Sequence, residues 1–370
     1  MPVEVLTTSE QLTGIAEAWD RLAAGHPMRG HAWAESWWRH YGGGQLFVVT
    51  VTEAERIVGL APWRIEASAR HGRAIRWLGD GEVCSDHLTL LAAEGQQQHA
   101  VDAIADFLSE DFNAWDLLRL DDTDTDDAGL DLLCRAFADR GARYQTRGAG
   151  ACWRIALPGD WDAYLASQSK SHRKQLRRTE RGVMQSGACR LHAVTSHDDW
   201  RRAWPLFVDL HQRRRQSLGE PGCFASPRFA AFHAEVSQRL LELGQLRLSW
   251  LELDGRPAAA EYQFAGAGCV FAYQGGLEPE LLDQQPGRIS SIFAIRAAMD
   301  AGAKAYDLLR GDEPYKAHWR AEPRQTCHRQ LVPPRPAARV RAGADRLVAA
   351  LKSGVKSLGG APGLRGGPAR

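Results

Sequence analysis

Residues 244–266 read GQLRLSWLELDGRPAAAEYQFAG, which has the pattern of two β-strands joined by a tight polar turn. Asp254 and Gly255 form a dipeptide that two-residue hairpin turns favour, because such turns need positive φ angles. Residues 44–66, GQLFVVTVTEAERIVGLAPWRIE, repeat the arrangement 200 positions earlier. The sequence therefore predicts one β-hairpin in each half of the chain.

A second echo follows in the same order. Residues 115–122 read WDLLRLDD and residues 306–313 read YDLLRGDE, and each stretch comes after a predicted helix, at 99–109 and 289–301. Each half thus offers a hairpin, a spacer, a helix and a strand. Two matches in one order indicate an internal duplication, so we expect an α/β (α+β) chain with two similar domains.

The composition places the chain among globular proteins. It has 370 residues, of which 44% are apolar and 25% are charged, and this length suggests two domains. No apolar run approaches the ~20 residues that cross a bilayer, and the N-terminus lacks a signal-peptide pattern. The seven cysteines are scattered without CxxC spacing. We therefore expect a cytoplasmic protein without a disulfide scaffold or a zinc site.

Charge is unevenly distributed along the chain. The net charge is +1, but residues 333–370 carry eight Arg or Lys against one Asp, so the body is acidic overall. We predict a basic tail, partly helical or disordered. Five apolar residues recur there at helical spacing: Val340, Leu347, Leu351, Val355 and Leu358. The tail can be a docking helix or a frayed end, or it can bind a membrane surface or nucleic acid.

Local signals predict further elements. Helical stretches span 159–186, 197–215 and 226–243, with Gly159-Asp160 at the start of the first and Ser196 placed to cap the second. The run DDTDTDD at 121–127 holds five aspartates in seven residues, which predicts a solvated loop.

The stretch QPGRISS at 285–291 is the first candidate site. It opens a predicted helix, and a helix N-terminus presents unpaired N–H groups and a partial positive charge that suit a pyrophosphate. Gly287 lets a ligand approach the backbone, and Arg288 adds a charged contact. An ordinary capped helix explains the same residues. The predicted phosphate-binding residues are Gly287, Arg288, Ile289, Ser290 and Ser291.

The stretch YDLLRGDEPYK at 306–316 is the second candidate site. It lies where a predicted strand leaves the sheet, and strand ends in α/β sheets favour sites. Asp307 or Asp312 can orient or deprotonate an acceptor, Tyr315 can protonate a leaving thiolate, and Lys316 can bind an anion. A solvated turn with ordinary ion pairs remains the alternative.

The segment 169–181, SKSHRKQLRRTER, carries six Arg or Lys in thirteen residues. Like charges at helical spacing repel, so this helix gains from an anionic partner such as CoA phosphates, a sugar nucleotide, RNA or the acidic loops of the body. A solvated face is the alternative. The residues predicted to bind substrate here and elsewhere are Lys170, His172, Arg173, Lys174, Tyr273, Arg310 and Gly311.

Several site patterns are missing from the sequence. It contains no GxGxxG, GxxxxGK[ST], HExxH or GxSxG, and its histidines do not cluster like metal ligands. These absences argue against a Rossmann dehydrogenase, a P-loop enzyme, a zinc protease and an α/β-hydrolase. The remaining class is a reaction that needs only substrate positioning and general acid–base catalysis. Acyl transfer from a thioester is such a reaction.

The order SxSHRKxLRRxER, YQGG, PGRISSIFAIRAAMDAG and YDLLRGDEPYKAHW resembles the BioF2-like (CelD/BcsL-like) GNAT acyltransferases. That group is related to the FemABX peptidyltransferases, which contain two GNAT-like domains. The resemblance implies two tandem GNAT-like domains, each a mixed, mostly antiparallel sheet flanked by helices. They would be a degenerate domain at 1–155 and a catalytic domain at 156–332, followed by the tail at 333–370.

The resemblance also implies an activity, an N- or O-acyltransferase. Acetyl-CoA or another acyl-CoA would be the donor, without a metal, and its pyrophosphate would lie at Gly287–Ser291. The acceptor would be an amine or hydroxyl of a sugar, a cell-envelope precursor or a small metabolite. Two alternatives stay open: aminoacyl-tRNA-dependent transfer as in FemABX proteins, and a non-catalytic scaffold in polysaccharide biosynthesis. The tail could dock on a protein or on the inner face of the membrane.

Overall fold

The computed structural model describes residues 1–184 and 187–345. Within them, thirteen strands form one mixed sheet. The strands are β1 (Val3–Leu6), β2 (Gln45–Glu53), β3 (Arg56–Ser68), β4 (Gly72–Trp77), β5 (Leu91–Ala92), β6 (Leu117–Asp124), β7 (Arg143–Ala156), β8 (Cys189–Ala193), β9 (Leu246–Leu253), β10 (Arg256–Gly266), β11 (Cys269–Leu277), β12 (Ala305–Arg310) and β13 (Glu322–Val332).

The two halves of the sheet mirror each other. The strand order is β1-β2-β3-β4-β6-β13-β7-β12-β11-β10-β9-β8, with β5 paired to β3. The path β1-β2-β3-β4-β6-β13 thus matches β8-β9-β10-β11-β12-β7 strand for strand. Each path contains one parallel pair, β4 with β6 and β11 with β12. This symmetry agrees with the duplication that the sequence predicts.

The halves exchange their last strands. β7 pairs with β12 of the second half, and β13 pairs with β6 of the first half as well as with β7. Sequence patterns could not reveal this exchange, because it depends on pairing between residues about 180 positions apart. The sheet is continuous as a result.

Both predicted hairpins form. The turn between β2 and β3 places Ala54 and Glu55 at positive φ, and the turn between β9 and β10 places Asp254 and Gly255 there. The two turns lie 200 residues apart, as the echo predicts. Two consecutive positive φ angles match the right-handed twist of the flanking strands.

Helices cover the sheet. They are α1 (Ser9–Gly14), α2 (Ala16–Ala23), α3 (His31–Tyr41), α4 (Gln97–Glu110), α5 (Ala128–Asp139), α6 (Trp161–Ser167), α7 (Lys170–Thr179), α8 (His197–Ser217), α9 (Pro227–Glu242), α10 (Pro286–Asp300) and α11 (Tyr315–His318). A π-helical turn, Glu180–Met184, continues α7. No helix in the described part of the chain is both long and apolar enough to cross a membrane.

The predicted cap of α8 is present, and α6 is capped as well. The Asp160 side chain accepts from the Ala163 N–H, and Ser196 accepts from the Asp199 N–H. The stretch 159–186 is not one helix as predicted. It breaks after Ser167, and Ser169 then caps α7.

One apolar core joins the two halves. It contains Trp19 and Trp33 from the first half and Phe207, Phe232 and Tyr262 from the second. All five are at most 1% exposed, so their packing holds α2, α3, α8 and α9 together across the strand exchange.

The aspartate-rich run is only in part the predicted solvated loop, since only residues 125–127 form a turn outside the strand. Residues 121–124 continue β6 because β13 pairs with it through Asp124. Their charges are neutralised there: Asp121 by Arg119 and Arg76, and Asp122 by Arg310. In the tail, residues 336–345 are helical, and Leu347, Leu351, Val355 and Leu358 lie outside the described residues.

Candidate active site

The strands β11 and β12 diverge beyond their third residue pair. Their parallel pairing ends at Phe271 and Asp307, although β11 continues to Leu277 and β12 to Arg310. Both strands are irregular at this point, β11 at Tyr273 and β12 between Asp307 and Arg310. Leu309 has a φ of 54°, and its N–H donates to Asp307 Oδ1 at 2.8 Å. We call the opening between residues 272–277 and 308–310 the β11/β12 cleft.

A partly exposed carboxylate lies at this cleft. Glu261 Oε1 accepts from Ser290 Oγ at 2.8 Å, and Oε2 lies over Gly275, 3.7 Å from the position a Cβ would take. Burial raises the pKa of Glu261, while hydrogen bonds from Ser290 and Gln263 oppose the shift. A carboxylate with a raised pKa beside an open strand edge is suited to act as a general base.

Buried polar groups support Glu261 from behind. Gln263 Nε2 donates to Tyr306 Oη at 2.6 Å and approaches Glu261 Oε2 at 3.3 Å. Burial, with the nearby Glu261 charge, raises the pKa of Tyr306 well above its usual value, so the phenol stays neutral. These contacts fix the Glu261 carboxylate against the cleft.

Asp307, predicted as a base, is fully buried and committed to ion pairs. Arg154 Nε donates to its Oδ2 at 2.9 Å, and His87 Nε2 lies 3.3 Å from the same oxygen. Although burial alone would raise it, the hydrogen bond and charge of His87 and the charge of Arg154 lower the pKa of Asp307. It is therefore a weak base, and its place in the bulge makes it a positioning residue.

His87 links Asp307 to a second carboxylate. Its Nδ1 lies 2.8 Å from Asp124 Oδ1 at the end of β6. Burial would lower its pKa, but the hydrogen bond to Asp124 and the close approach of Asp307 and Cys152 raise the pKa of His87 well above 6.5. The side chains of Asp124, His87 and Asp307 thus link the two halves, with a protonated imidazole between two carboxylates.

Lys316 closes the turn after β12. Its buried ammonium donates to the carbonyls of Leu309, Arg310 and Gly311 at 3.1, 2.8 and 3.0 Å, and pairs with Glu313 at 3.0 Å. All its donors are occupied, so we reassign it from anion binding to holding the turn.

The other predicted catalytic groups lie at the rim of the cleft. Tyr315 is half exposed, and burial of its ring, with the charges of Glu313 and Glu261, raises its pKa, so the phenol holds its proton. Asp312 is exposed, and its Oδ1 accepts from Trp153 Nε1 at 3.2 Å. Tyr315 can donate a proton from this position.

Two predicted substrate-binding residues have structural partners instead. Arg310 pairs with Asp86 at 2.6 Å and with Asp122 at 3.0 Å, which bridges the two halves. Tyr273 is buried, and its hydroxyl bonds to the Val83 carbonyl and to His233. Gly311 has a φ of 108°, where a side chain would meet Glu313.

The first turn of α10 lies beside the cleft. The N–H groups of Arg288 and Ile289 both bond to the Gln285 carbonyl, and Pro286 has none, which leaves the Gly287 N–H for a ligand. Arg288 is partly exposed and contacts Gln285 and Gln175. The Ile289 side chain is buried in the core.

The serines of α10 differ in role. Ser290 is 2% exposed and donates to Glu261 Oε1, as described above. Ser291 Oγ donates to the Gly287 carbonyl at 2.8 Å, within its own helix. The segment that was predicted to bind phosphate therefore contacts the Glu261 carboxylate through Ser290.

The helix α7 presents a basic face to solvent. Leu176 is buried, while five cations are exposed and have no ion pair within 4 Å among the described residues: Lys170, Lys174, Arg177, Arg178 and Arg181. His172 points inward, where its ring packs against Trp319 with centroids 5.4 Å apart. Arg173 Nη1 donates to the Ala166 carbonyl at 3.4 Å.

No sequence motif identified Glu261, Gln263 or His87 as a site residue. The sequence does contain one indication of Glu261, because a glutamate interrupts the apolar strand AAAEYQF at 258–264. An acidic residue inside a buried strand is costly unless it has a partner or a function.

Part of the sequence matches a known family, and the fold is similar to that of known proteins. Residues 170–317 match the acetyltransferase (GNAT) domain family. No curated protein sequence matches the chain. FemX superimposes with a TM-score of 0.65 at 11% identity, covering 92% of this chain and 99% of FemX. The C-terminal domain of a putative lysylphosphatidylglycerol synthetase from Agrobacterium fabrum gives 0.53 at 13% identity, covering 96% and 100%.

These similarities concern the fold. A conserved protein of unknown function from Bacteroides thetaiotaomicron also superimposes, with a TM-score of 0.52 at 11% identity, covering 90% of this chain and 99% of its own. The family match contains α7, the cleft and the first turn of α10. Residues 170–317 therefore match the acetyltransferase (GNAT) domain family, and the chain as a whole has a two-domain GNAT-like fold similar to that of FemX.

Proposed function

We propose that the protein transfers an acyl group from acyl-CoA to an amine or hydroxyl of a sugar, a cell-envelope precursor or a small metabolite. The observation that carries this proposal is the position of Glu261, a partly exposed carboxylate of raised pKa at a strand divergence beside a helix N-terminus. We expect the reaction to take place in the cytoplasm, where acyl-CoA is formed.

The cleft suits a thioester donor. Beyond Phe271, the edge of β11 that faces β12 has no strand partner within the described chain, so its N–H groups are free to polarise the thioester carbonyl. The Gly287 N–H and the Arg288 guanidinium lie beside this edge and would hold the donor phosphates.

The proposed reaction is one displacement. The acceptor nitrogen or oxygen attacks the thioester carbonyl, the new C–N or C–O bond forms, and the C–S bond breaks. Glu261 takes the proton from the acceptor, and Tyr315 gives its proton to the departing thiolate. Asp307 and Lys316 hold the turn that carries Tyr315, and they do not touch substrate.

Thiol release tests the proposal. The full chain is incubated with acetyl-, butyryl-, octanoyl- and palmitoyl-CoA and with amino sugars, amino acids and sugar alcohols as acceptors. We expect acceptor-dependent release of CoA thiol with at least one pair. No release from any donor, together with no binding of any donor, would favour the non-catalytic scaffold.

The exposed face of α7 favours a second candidate, aminoacyl-tRNA-dependent transfer. Its five unpaired cations could neutralise a nucleic-acid backbone, which gives steeply salt-dependent binding. Filter binding of charged tRNA at 50 to 300 mM salt tests this, with Lys174→Glu/Arg177→Glu as the variant and Arg190→Glu as the control. Absent or salt-insensitive binding contradicts this candidate and leaves acyl-CoA as the donor.

A further inference from the structure

The hydroxyl of Tyr306 is a buried donor that the proposed reaction does not use. Tyr306 is 3% exposed, and its Oη accepts from Gln263 Nε2 at 2.6 Å. The O–H group itself has no hydrogen-bond acceptor among the described residues. A buried donor without an acceptor is costly, so it indicates a ligand atom that completes the pair.

Strand register places this hydroxyl at the start of the β11/β12 cleft. Tyr306 pairs with Val270, one position before the parallel pairing of the two strands ends. Its ring packs on the face of the sheet that α10 covers, in a core with Val270 and Ile292. Since the hydroxyl reaches Gln263, which is paired with Ala272, the ring crosses β11 beside the first residue of the cleft.

The carboxylate of Glu261 lies on the same face. Ser290 of α10 donates to one of its oxygens, and Gln263 approaches the other at 3.3 Å, so both oxygens have partners other than Tyr306. Burial, followed by the charge of Glu261 and the nearby Tyr315, raises the pKa of Tyr306 well above its usual value. The phenol therefore keeps its proton and offers it only as a hydrogen bond.

The hydroxyl suits one kind of substrate atom. Its oxygen already accepts a hydrogen bond, so its remaining need is an acceptor for its own proton. In the proposed reaction the nucleophile gives its proton to Glu261 and attacks with its lone pair, and Tyr315 protonates the departing sulfur. The thioester carbonyl oxygen is the remaining acceptor atom at the reacting carbon, and it gains negative charge in the tetrahedral intermediate.

We propose, on the basis of the acyl transfer proposed above, that the Tyr306 hydroxyl donates a hydrogen bond to the thioester carbonyl oxygen and is a catalytic residue beside the free N–H groups of β11. When the nucleophile attacks, the C=O electron pair moves onto this oxygen, and the hydroxyl stabilises the charge. When the C–S bond breaks, the pair returns to the carbonyl. Tyr306 keeps its proton throughout, so the proton balance of the reaction is unchanged.

Tyr306→Phe tests this role, because it removes the hydroxyl and keeps the ring in its core. In the thiol-release assay we expect kcat to fall by about 10²-fold while the calorimetric Kd of the acyl-CoA stays within twofold, since the contact strengthens as charge develops. Tyr41→Phe is the matched control. Its hydroxyl donates to Glu82 at 2.6 Å in the first half, and its loss should leave kcat within twofold.

Infrared spectra of the bound donor, labelled with carbon-13 at the thioester carbonyl, measure the contact without turnover. The donor is the acyl-CoA, from acetyl to palmitoyl, that binds best. A hydrogen bond weakens the C=O bond, so the band should lie at lower wavenumber in the wild-type complex than in the Tyr306→Phe complex. Fluorotyrosine in place of Tyr306 keeps the hydroxyl and makes it a stronger donor, so it should lower the band further. This measurement decides the outcome if Tyr306→Phe fails to fold.

Equal kcat, or an equal carbonyl band, in wild type and Tyr306→Phe would overturn this role for Tyr306. A lower kcat with an unchanged band would mean that the hydroxyl acts on the nucleophile instead. Each of these results leaves acyl transfer itself standing. Failure of every acyl-CoA to bind the wild-type chain would contradict the proposed function, and the role of Tyr306 with it.

Discussion

His87 Nε2 of the first half lies 3.3 Å from Asp307 Oδ2 of the second half, in the strand that borders the cleft. His87 adopts a φ of 63°, which is strained for a histidine, and its ring and carbonyl are both bonded. Since Asp307 also holds the Leu309 N–H, the first half fixes the bulge that borders the cleft. The first half of the chain thus helps to build the cleft in the second half.

Removing His87 should destabilise the protein. His87→Gln leaves Asp124 without its buried cation and Asp307 with Arg154 alone, and we expect a loss of about 3 kcal/mol in the free energy of unfolding. Urea unfolding measures it, with the exposed His99→Gln as the control. A change below about 0.5 kcal/mol would contradict the ion-pair chain.

The pH dependence of the free energy of unfolding should also reveal the protonated His87. Because the pKa of His87 is raised in the folded state, its contribution is complete below pH 6.5 and is lost as pH rises through the raised value. The lowered pKa values of Asp124 and Asp307 act oppositely, with stability lost as pH falls through them. We expect wild type to lose stability toward alkaline pH more steeply than His87→Gln in urea titrations from pH 6 to 10. Parallel curves would contradict an imidazolium at this position.

Glu261→Gln should separate activity from stability. Loss of the base should lower kcat by about 10²- to 10⁴-fold in the thiol-release assay. Since burial raises the pKa of Glu261, its ionised form costs stability as pH rises through that value, so the amide should keep or raise the Tm at pH 8. Glu242→Gln, at the exposed end of α9, is the control. Unchanged kcat would remove Glu261 from the reaction.

Lys316→Met should affect folding and not donor affinity. The substitution leaves three carbonyls of the β12 turn without their shared donor, and we expect about 3 kcal/mol lower stability. Lys304→Met, which is exposed, should change neither the stability nor the donor affinity. Wild-type stability with weaker donor binding would instead return Lys316 to the anion-binding role predicted from sequence.

Gly276→Ala tests how closely α8 approaches the cleft strand. A Cβ at Gly276 would lie 2.6 Å from the His211 backbone nitrogen and 2.8 Å from Leu210 Cβ. We expect a loss of about 1–3 kcal/mol in thermal or urea unfolding. Gly148→Ala, where the added methyl meets open space, should be nearly neutral. Equal effects of the two substitutions would show that α8 does not pack as described.

Local features of the fold were predictable from the sequence. The hairpin turns at 54–55 and 254–255 and the Ser196 cap depend on neighbouring residues, and all form. The aspartate-rich run was misread in part, because its charges are balanced by residues distant in sequence, such as Arg310.

The second echo shows where pattern matching fails. It aligned Asp122 with Glu313, whereas Asp122 and Leu309 take equivalent bulge positions, both at a φ of 54°. The register of a strand depends on its partners, and β6 and β12 each pair with a strand from the other half. The acidic residues of the second stretch therefore lie elsewhere than the echo suggested, and Glu261 on β10 becomes the stronger candidate base.

The most direct test of the account is calorimetric titration of acyl-CoA into the full chain and into Arg288→Ala. The account predicts saturable binding of at least one donor from acetyl- to palmitoyl-CoA, with the Tm raised by about 3 °C at 100 times Kd. Loss of the charged phosphate contact should weaken binding by about tenfold, while Arg190→Ala, on an exposed part of β8, should bind as wild type does. No binding of any acyl-CoA, or equal binding by Arg288→Ala, would contradict an acyl-CoA site at the β11/β12 cleft.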